Sequence, residues 1–156
     1  MVKYGETRYS RMHNTLEEGL LFEFRYAVPD NKTVPDLYPE AEEFQLMPKV
    51  FATGFMVGLF EWACIRAVRP HLDYPRVQTV GIRVNFSHIA ATPPGLSITV
   101  KGRLERIDGR MLSFSIEADD GVDKISEGTH DRFIILTERF NRKVDEKKKQ
   151  QISPKR

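Results

Sequence analysis

The chain has 156 residues, 40% of them hydrophobic and 29% charged, with a formal net charge of +2. This composition fits one globular domain large enough to bury a core, and no apolar run reaches the ~18 residues a membrane span requires. Residues 142–156 hold seven Lys or Arg against two Asp or Glu, whereas the rest holds 17 against 20; a slightly acidic body disfavours a nucleic-acid surface and leaves only the tail a weak attraction to polyanions.

Residues 1–19 read as a polar, mixed-charge lead-in, unlike a secretory signal peptide, so a cytoplasmic location is the default expectation. Leu20 to Val28 is the first predicted strand. Pro29, Pro35 and Pro39 with Asp30 and Asn31 then break the chain into an irregular segment, and Glu40 to Met47 holds one short helix. A longer helix runs to about Arg69, where Pro70 stops it.

Beyond that helix the apolar period becomes two. Val80, Ile82, Val84 and Phe86 alternate with polar residues or glycine; so do Leu96, Ile98, Val100 and Leu104, and then Leu112, Phe114, Ile116 and Ala118. Such alternation marks antiparallel strands with one wet face. Asp108-Gly109 supplies a tight hairpin, Asp120-Gly121 the next reversal, and Phe133 to Leu136 a strand covered on both sides. The expected order is strand, helix, then four or more strands.

The segment Val50 to Ile65, VFATGFMVGLFEWACI, is apolar or small apart from Thr53 and Glu61. Taking a carboxylate out of water is unfavourable without a partner, so Glu61 is either a structural anchor for backbone N–H groups or a group kept for chemistry. His88 continues the even phase of the strand from Val80, which directs its imidazole to the helix-facing side and toward Glu61; the competing reading is a satisfied strand histidine. His130 keeps that structural reading. Trp62 and the phenylalanines Phe51, Phe55 and Phe60 read as core or dimer packing, not a cofactor box.

Cys64 reads as an inert core thiol, since no cation adjoins it in sequence, and as the sole cysteine it permits no intramolecular disulfide. His13, His71, His88 and His130 show no HxH or HxxxH spacing, so no metal site is expected. One straight helix containing both Thr53 and Glu61 would separate them by ~12 Å along its axis. Thr53 is therefore expected in a loop folded back over the helix, hinged at Gly54, with regular helix beginning near Phe55 or Met56.

A long apolar helix needs a curved sheet to wrap it, which points to an α+β hotdog fold with a curved antiparallel sheet around a central helix. The motifs ATG, GLFEW, SHIAATPPG and EGTHDR, in this order and spacing, resemble those of the fluoroacetyl-CoA thioesterase family of hotdog proteins, with a resemblance running from about Val28 to Val144. It implies hydrolysis of an acyl-CoA thioester by a Thr/Glu/His set matching Thr53, Glu61 and His88. Glu61 would be base or nucleophile, His88 would assist proton transfer, and Thr53 would orient the carboxylate.

Gly81 and Arg132 match positions lining the acyl pocket, and Arg132 has three open roles: CoA phosphate, acyl end, or a structural acid. Met47-Pro48 occupies the place of an aromatic gate, which puts fluorine selectivity in doubt and leaves the acyl group open. No cofactor is implied, coenzyme A being part of the substrate, and a homodimer is expected because one small hotdog leaves sheet edges exposed. The domain is expected over residues 20–141, followed by the basic tail 142–156. The alternatives are a catalytically silent acyl-CoA or lipid-binding module and a hydratase or dehydratase, whose Asp/His motif is not found.

Overall fold

The computed structural model describes residues 15–152. Most of the expected lead-in, including His13, lies outside the described residues. Strand β1 (Leu21–Ala27) precedes two single-turn helices, α1 (Val34–Leu37) and α2 (Glu42–Gln45). Helix α3 (Thr53–Val68) and a 3-10 turn (Arg69–His71) follow, then β2 (Val77–Phe86), β3 (Ser97–Asp108), β4 (Met111–Asp119), β5 (Lys124–Leu136) and helix α4 (Thr137–Ile152). One strand, a long helix and four strands is the expected order. Among the described residues no helix is long and apolar enough to cross a membrane.

All strands pair antiparallel in one sheet of order β1-β3-β4-β5-β2, which leaves β1 and β2 as its edges. The β3–β4 reversal closes between Asp108 and Met111. Gly109 sits there at φ +60°, the left-handed value that the first loop position of a II′ hairpin requires.

Helix α3 buries Met56, Leu59, Phe60, Ala63, Cys64 and Val68 against the sheet, a spacing of three and four that forms one stripe on the helix surface. Val77, Ile98, Val100, Leu104, Leu112, Phe114 and Ile134 meet that stripe from the strands. Burying a side chain the size of Phe60, which is fully covered, is worth roughly 1.5–3 kcal/mol. The sheet covers one side of α3: Thr53, Gly54 and Gly58 are exposed, and Trp62 is 45% exposed.

Two further expectations are corrected. Thr53 is not in a folded-back loop: α3 begins at Thr53 itself, with Ala52 as N-cap, and Gly54 is an ordinary helical residue. The register of β2 also differs. Val77 and Thr79 face the core, Ile82 is 52% exposed, and the pairing with β5 slips between Gly81 and Arg83. This bulge inserts one residue and inverts the side-chain phase. The even phase holds only beyond it, where Phe86 packs edge-on against Phe60 at 4.9 Å. Alternation alone does not show where an extra residue enters a strand.

Candidate active site

The site lies along the seam between α3 and edge strand β2. Arg132 on β5 faces the same side of the sheet as its β2 partner Gly81, and it is 2% exposed. Its Nε–H donates to Thr79 Oγ1 at 2.8 Å and its Nη2–H to the Thr79 carbonyl at 2.9 Å. Its Nη1 donates to Glu61 Oε1 at 3.1 Å and contacts His130 Nε2 at 3.1 Å. Of the three roles open to Arg132, pairing with an acid is the one its contacts describe, and that acid is Glu61.

Glu61 therefore has a partner, and its side chain is half-buried, with 37% of it exposed to solvent. Gly81 is what makes room for it. A Cβ at this position would overlap Glu61 Oε1 and stand 3.2 Å from His130 Cε1 and 3.5 Å from Arg132 Nη1. The carboxylate thus lies directly on the β2 backbone where any other residue would put a side chain.

Past the end of β2, Ser87 and Ile89 donate backbone N–H bonds to Glu127 and Ile125 of β5 at 3.0 and 2.9 Å. With both neighbours tied to the sheet, His88 turns the other way, and its Nδ1 lies 2.8 Å from Thr53 Oγ1. The segment after it is pinned by the carbonyl of Thr92, which accepts from Phe51 N at 2.8 Å, and by the Thr92 hydroxyl, which donates to buried Asp120 at 2.8 Å. His88 Nε2 is buried without a partner among the described residues, and burial holds the imidazole pKa below 6.5. Burial thus favours the neutral imidazole over the charged one.

The chain thus brings the six residues singled out from sequence into two clusters and one outlier. Thr53 bonds His88; Glu61, Arg132 and Gly81 are together; Met47 is 49% exposed after α2. The expected Thr53–Glu61 hydrogen bond is absent, because both residues lie on one straight helix, about 12 Å apart along its axis. No hydrogen bond joins His88 to Glu61 within the chain among the described residues.

Thr79 escaped the sequence reading, and His130, read there as a satisfied strand histidine, is one: both of its ring nitrogens have partners, one of them Arg132. The signal for this cluster was spacing: His130 and Arg132 share one face of a strand at i and i+2, as do Thr79 and Gly81 on the strand beside it. Cys64, buried beneath this cluster, is pushed up to about 12 by burial, with opposing influence from Arg132 and a raising one from Glu61. Among the described residues no group of three His, Cys, Asp or Glu side chains is arranged to hold a metal.

Comparison with known proteins bears on this geometry. The model of the fluoroacetyl-CoA-specific thioesterase family matches residues 33–138. A fluoroacetyl-CoA thioesterase from Streptantibioticus cattleyicolor is 49% identical over 136 residues, 87% of this chain and 97% of that protein. A solved structure of a threonine-to-serine mutant of such an enzyme, in complex with acetyl-CoA, superposes with a TM-score of 0.82 at 49% identity, covering 85% of this chain and 98% of that one. A hot-dog-like protein from Thermanaerovibrio acidaminovorans, 17% identical over 86% of this chain and 95% of that one, shares the fold at a TM-score of 0.72. On the strength of the family match and of 49% identity over 87% of its length, this hotdog-fold chain belongs to the fluoroacetyl-CoA-specific thioesterase family.

Proposed function

We propose that the chain hydrolyses a small or short-chain acyl-CoA to the free acid and CoA, using Glu61, His88 and Thr53. The observation that carries this reading is the Glu61 carboxylate, partly exposed to solvent and held by a buried guanidinium. Its Oε1 is held by Arg132, and its Oε2 has no hydrogen bond among the described residues. The carboxylate acts as base toward water, or as nucleophile, at the thioester carbonyl. As base, Glu61 takes a proton from the water whose oxygen bonds to the carbonyl carbon, the C–S bond breaks, and the leaving CoA thiolate takes up that proton. As nucleophile, Glu61 displaces the CoA thiolate to form an acyl anhydride, which water then hydrolyses to the free acid and the restored carboxylate, its proton passing to the thiolate. Nothing in these steps calls for a metal or redox cofactor.

Neutral His88 serves proton transfer through Nε2, with Nδ1 fixed by the Thr53 hydroxyl. Within one chain that pair stands at the far end of the seam from Glu61. Edge strand β2 suggests how the two meet. A two-fold axis between Val84 and Asn85 would pair Gly81 of one copy with His88 of a second, delivering the second imidazole to the first carboxylate. Such a homodimer would also cover Val84, which is 47% exposed, and the open backbone of the edge.

A panel of short and medium acyl-CoAs tests both parts, with release of free thiol as the readout. Glu61→Gln and His88→Ala should each abolish turnover while acyl-CoA still binds. Tight binding by the wild type with no turnover on any substrate favours a silent acyl-CoA-binding module. Mixing and refolding the two inactive variants should restore about a quarter of wild-type activity, since half the dimers then carry one intact site. No restoration from the mixture rejects the shared site.

A further inference from the structure

His130, at 0% exposure in β5, is a fully buried titratable group that the proposed chemistry leaves unused. Its surroundings fix its protonation state by donor and acceptor type alone. Nδ1 lies 2.7 Å from the carbonyl oxygen of Arg83, and a carbonyl only accepts, so Nδ1 carries the hydrogen. Nε2 lies 3.1 Å from Arg132 Nη1, and a guanidinium only donates, so Nε2 is bare. Both partners are met only by the neutral Nδ1–H tautomer.

The other end of this arrangement is Glu61. Arg132 Nη1 has two hydrogens, and the two acceptors within reach of it are His130 Nε2 and Glu61 Oε1. With Nε and Nη2 both bound to Thr79, the guanidinium cannot rotate without losing bonds. The β2 bulge takes part as well, because Arg83 is the first paired residue beyond it, and its carbonyl anchors the imidazole.

We propose that His130 is a positioning residue for the thioesterase reaction: as a neutral Nδ1–H imidazole it fixes Arg132, which aims the Glu61 carboxylate, and taking up a proton at Nε2 releases that aim. A protonated ring would turn an N–H toward the N–H of a guanidinium, setting donor against donor and cation against cation. The proposal rests on the thioesterase reading for its consequence but not for its geometry.

The groups around the ring bear on when the proton arrives. Burial is the strongest influence and lowers its affinity for a proton, as does the positive charge of Arg132; the Arg83 carbonyl, Glu61 and Asp131 act the other way, and the balance lies below 6.5. The Arg83 guanidinium, 3.4 Å from Asp131 and 75% exposed, is turned out to solvent. Phe86 packs on the remaining side at 5.8 Å between ring centroids. At neutral pH the link is intact, and it opens on acidification.

The test pairs two variants with two readouts. In His130→Gln the side-chain oxygen reaches the Nε2 position and accepts from Arg132 but does not titrate. It should keep kcat within about threefold of wild type at pH 7.5 and remove one proton from the acid limb of the rate profile. His130→Leu removes the acceptor and should lower kcat at least tenfold with KM changed less than about threefold.

Nitrogen NMR of the wild-type imidazole reads the link without any reaction: Nδ1 protonated and Nε2 bare at pH 7.5, with the Arg132 Nε–H signal shifting as the ring titrates. An Nε2–H tautomer overturns the proposal. So does a folded His130→Leu protein with wild-type kcat, or a His130→Gln acid limb identical to wild type. A wild type that hydrolyses no acyl-CoA yet shows the NMR link would remove the thioesterase reading and leave the hydrogen-bonded relay standing.

Discussion

Replacing Gly81 by alanine is a sharp test of the site because its consequence can be followed atom by atom. The new methyl would overlap Glu61 Oε1, with His130 Cε1 at 3.2 Å and Arg132 Nη1 at 3.5 Å closing off the alternatives. To regain ordinary contact of about 3.5 Å the carboxylate has to retreat by about 1 Å. Its 3.1 Å bond to Arg132 then lengthens beyond hydrogen-bonding range, or the guanidinium follows and strains its bonds to Thr79 and His130. Losing one charge-assisted hydrogen bond of this kind costs about 1.5–3 kcal/mol. If the same bond aims the carboxylate during reaction, kcat falls by a factor of about ten to a hundred. The assay is steady-state hydrolysis of an acyl-CoA together with thermal melting, for Gly81→Ala, Glu61→Gln and the double variant. Because the methyl acts through Glu61, the double variant should be no slower than Glu61→Gln alone. A Gly81→Ala enzyme with unchanged kcat and melting temperature would refute the crowding argument, and additive losses in the double variant would refute its route through Glu61.

Burial keeps His88 neutral down to its lowered pKa, so kcat/KM should hold through neutral pH and fall as pH drops below 6.5; a profile flat to pH 4 would show that a neutral imidazole is not required. Cys64, pushed up to about 12 and completely covered, should resist a thiol reagent at pH 8 in the folded protein and react fully after denaturation, whereas stoichiometric labelling of the native state would contradict its burial. Phe60→Ala removes a ring packed on Phe86 at 4.9 Å in the fully buried stripe of α3 and should cost about 3–5 kcal/mol of unfolding free energy, read by denaturant titration. A loss below about 1 kcal/mol would mean that the core repacks there. Asp120 is held below 3.8: burial opposes its ionisation, but the Asp123 N–H, the Thr92 hydroxyl and the Val122 N–H overcome it. Because its folded pKa is depressed, its contribution to stability is complete above 3.8 and disappears as pH falls through the folded value. Asp120→Asn should therefore flatten the acid end of the stability curve, and unchanged pH dependence would argue against it.

Local pattern determined much of this protein. Period-two alternation located β3 and β4 with the correct buried faces, because each is a simple half-buried strand whose inward side must be apolar. Pro29, Pro35 and Pro39 marked the irregular segment, and the carboxylate at 61 stood out because an apolar helix does not hold one without reason. The motifs from ATG to EGTHDR carried the family, since they are matters of residue identity and order. Tertiary structure alone decided how those residues are used. The bulge after Gly81 inverted the phase of β2, and Thr53 became the first residue of α3, bonded to His88 instead of Glu61. Arg132, with three open roles in the sequence, is tied to Glu61 through contacts spanning 71 positions of chain, and His130 joins only because two strands lie side by side. The physical reason is range: side-chain period and helix termination depend on neighbouring residues, whereas a hydrogen-bond partner for a buried polar group is set by which distant backbone passes close enough to supply it.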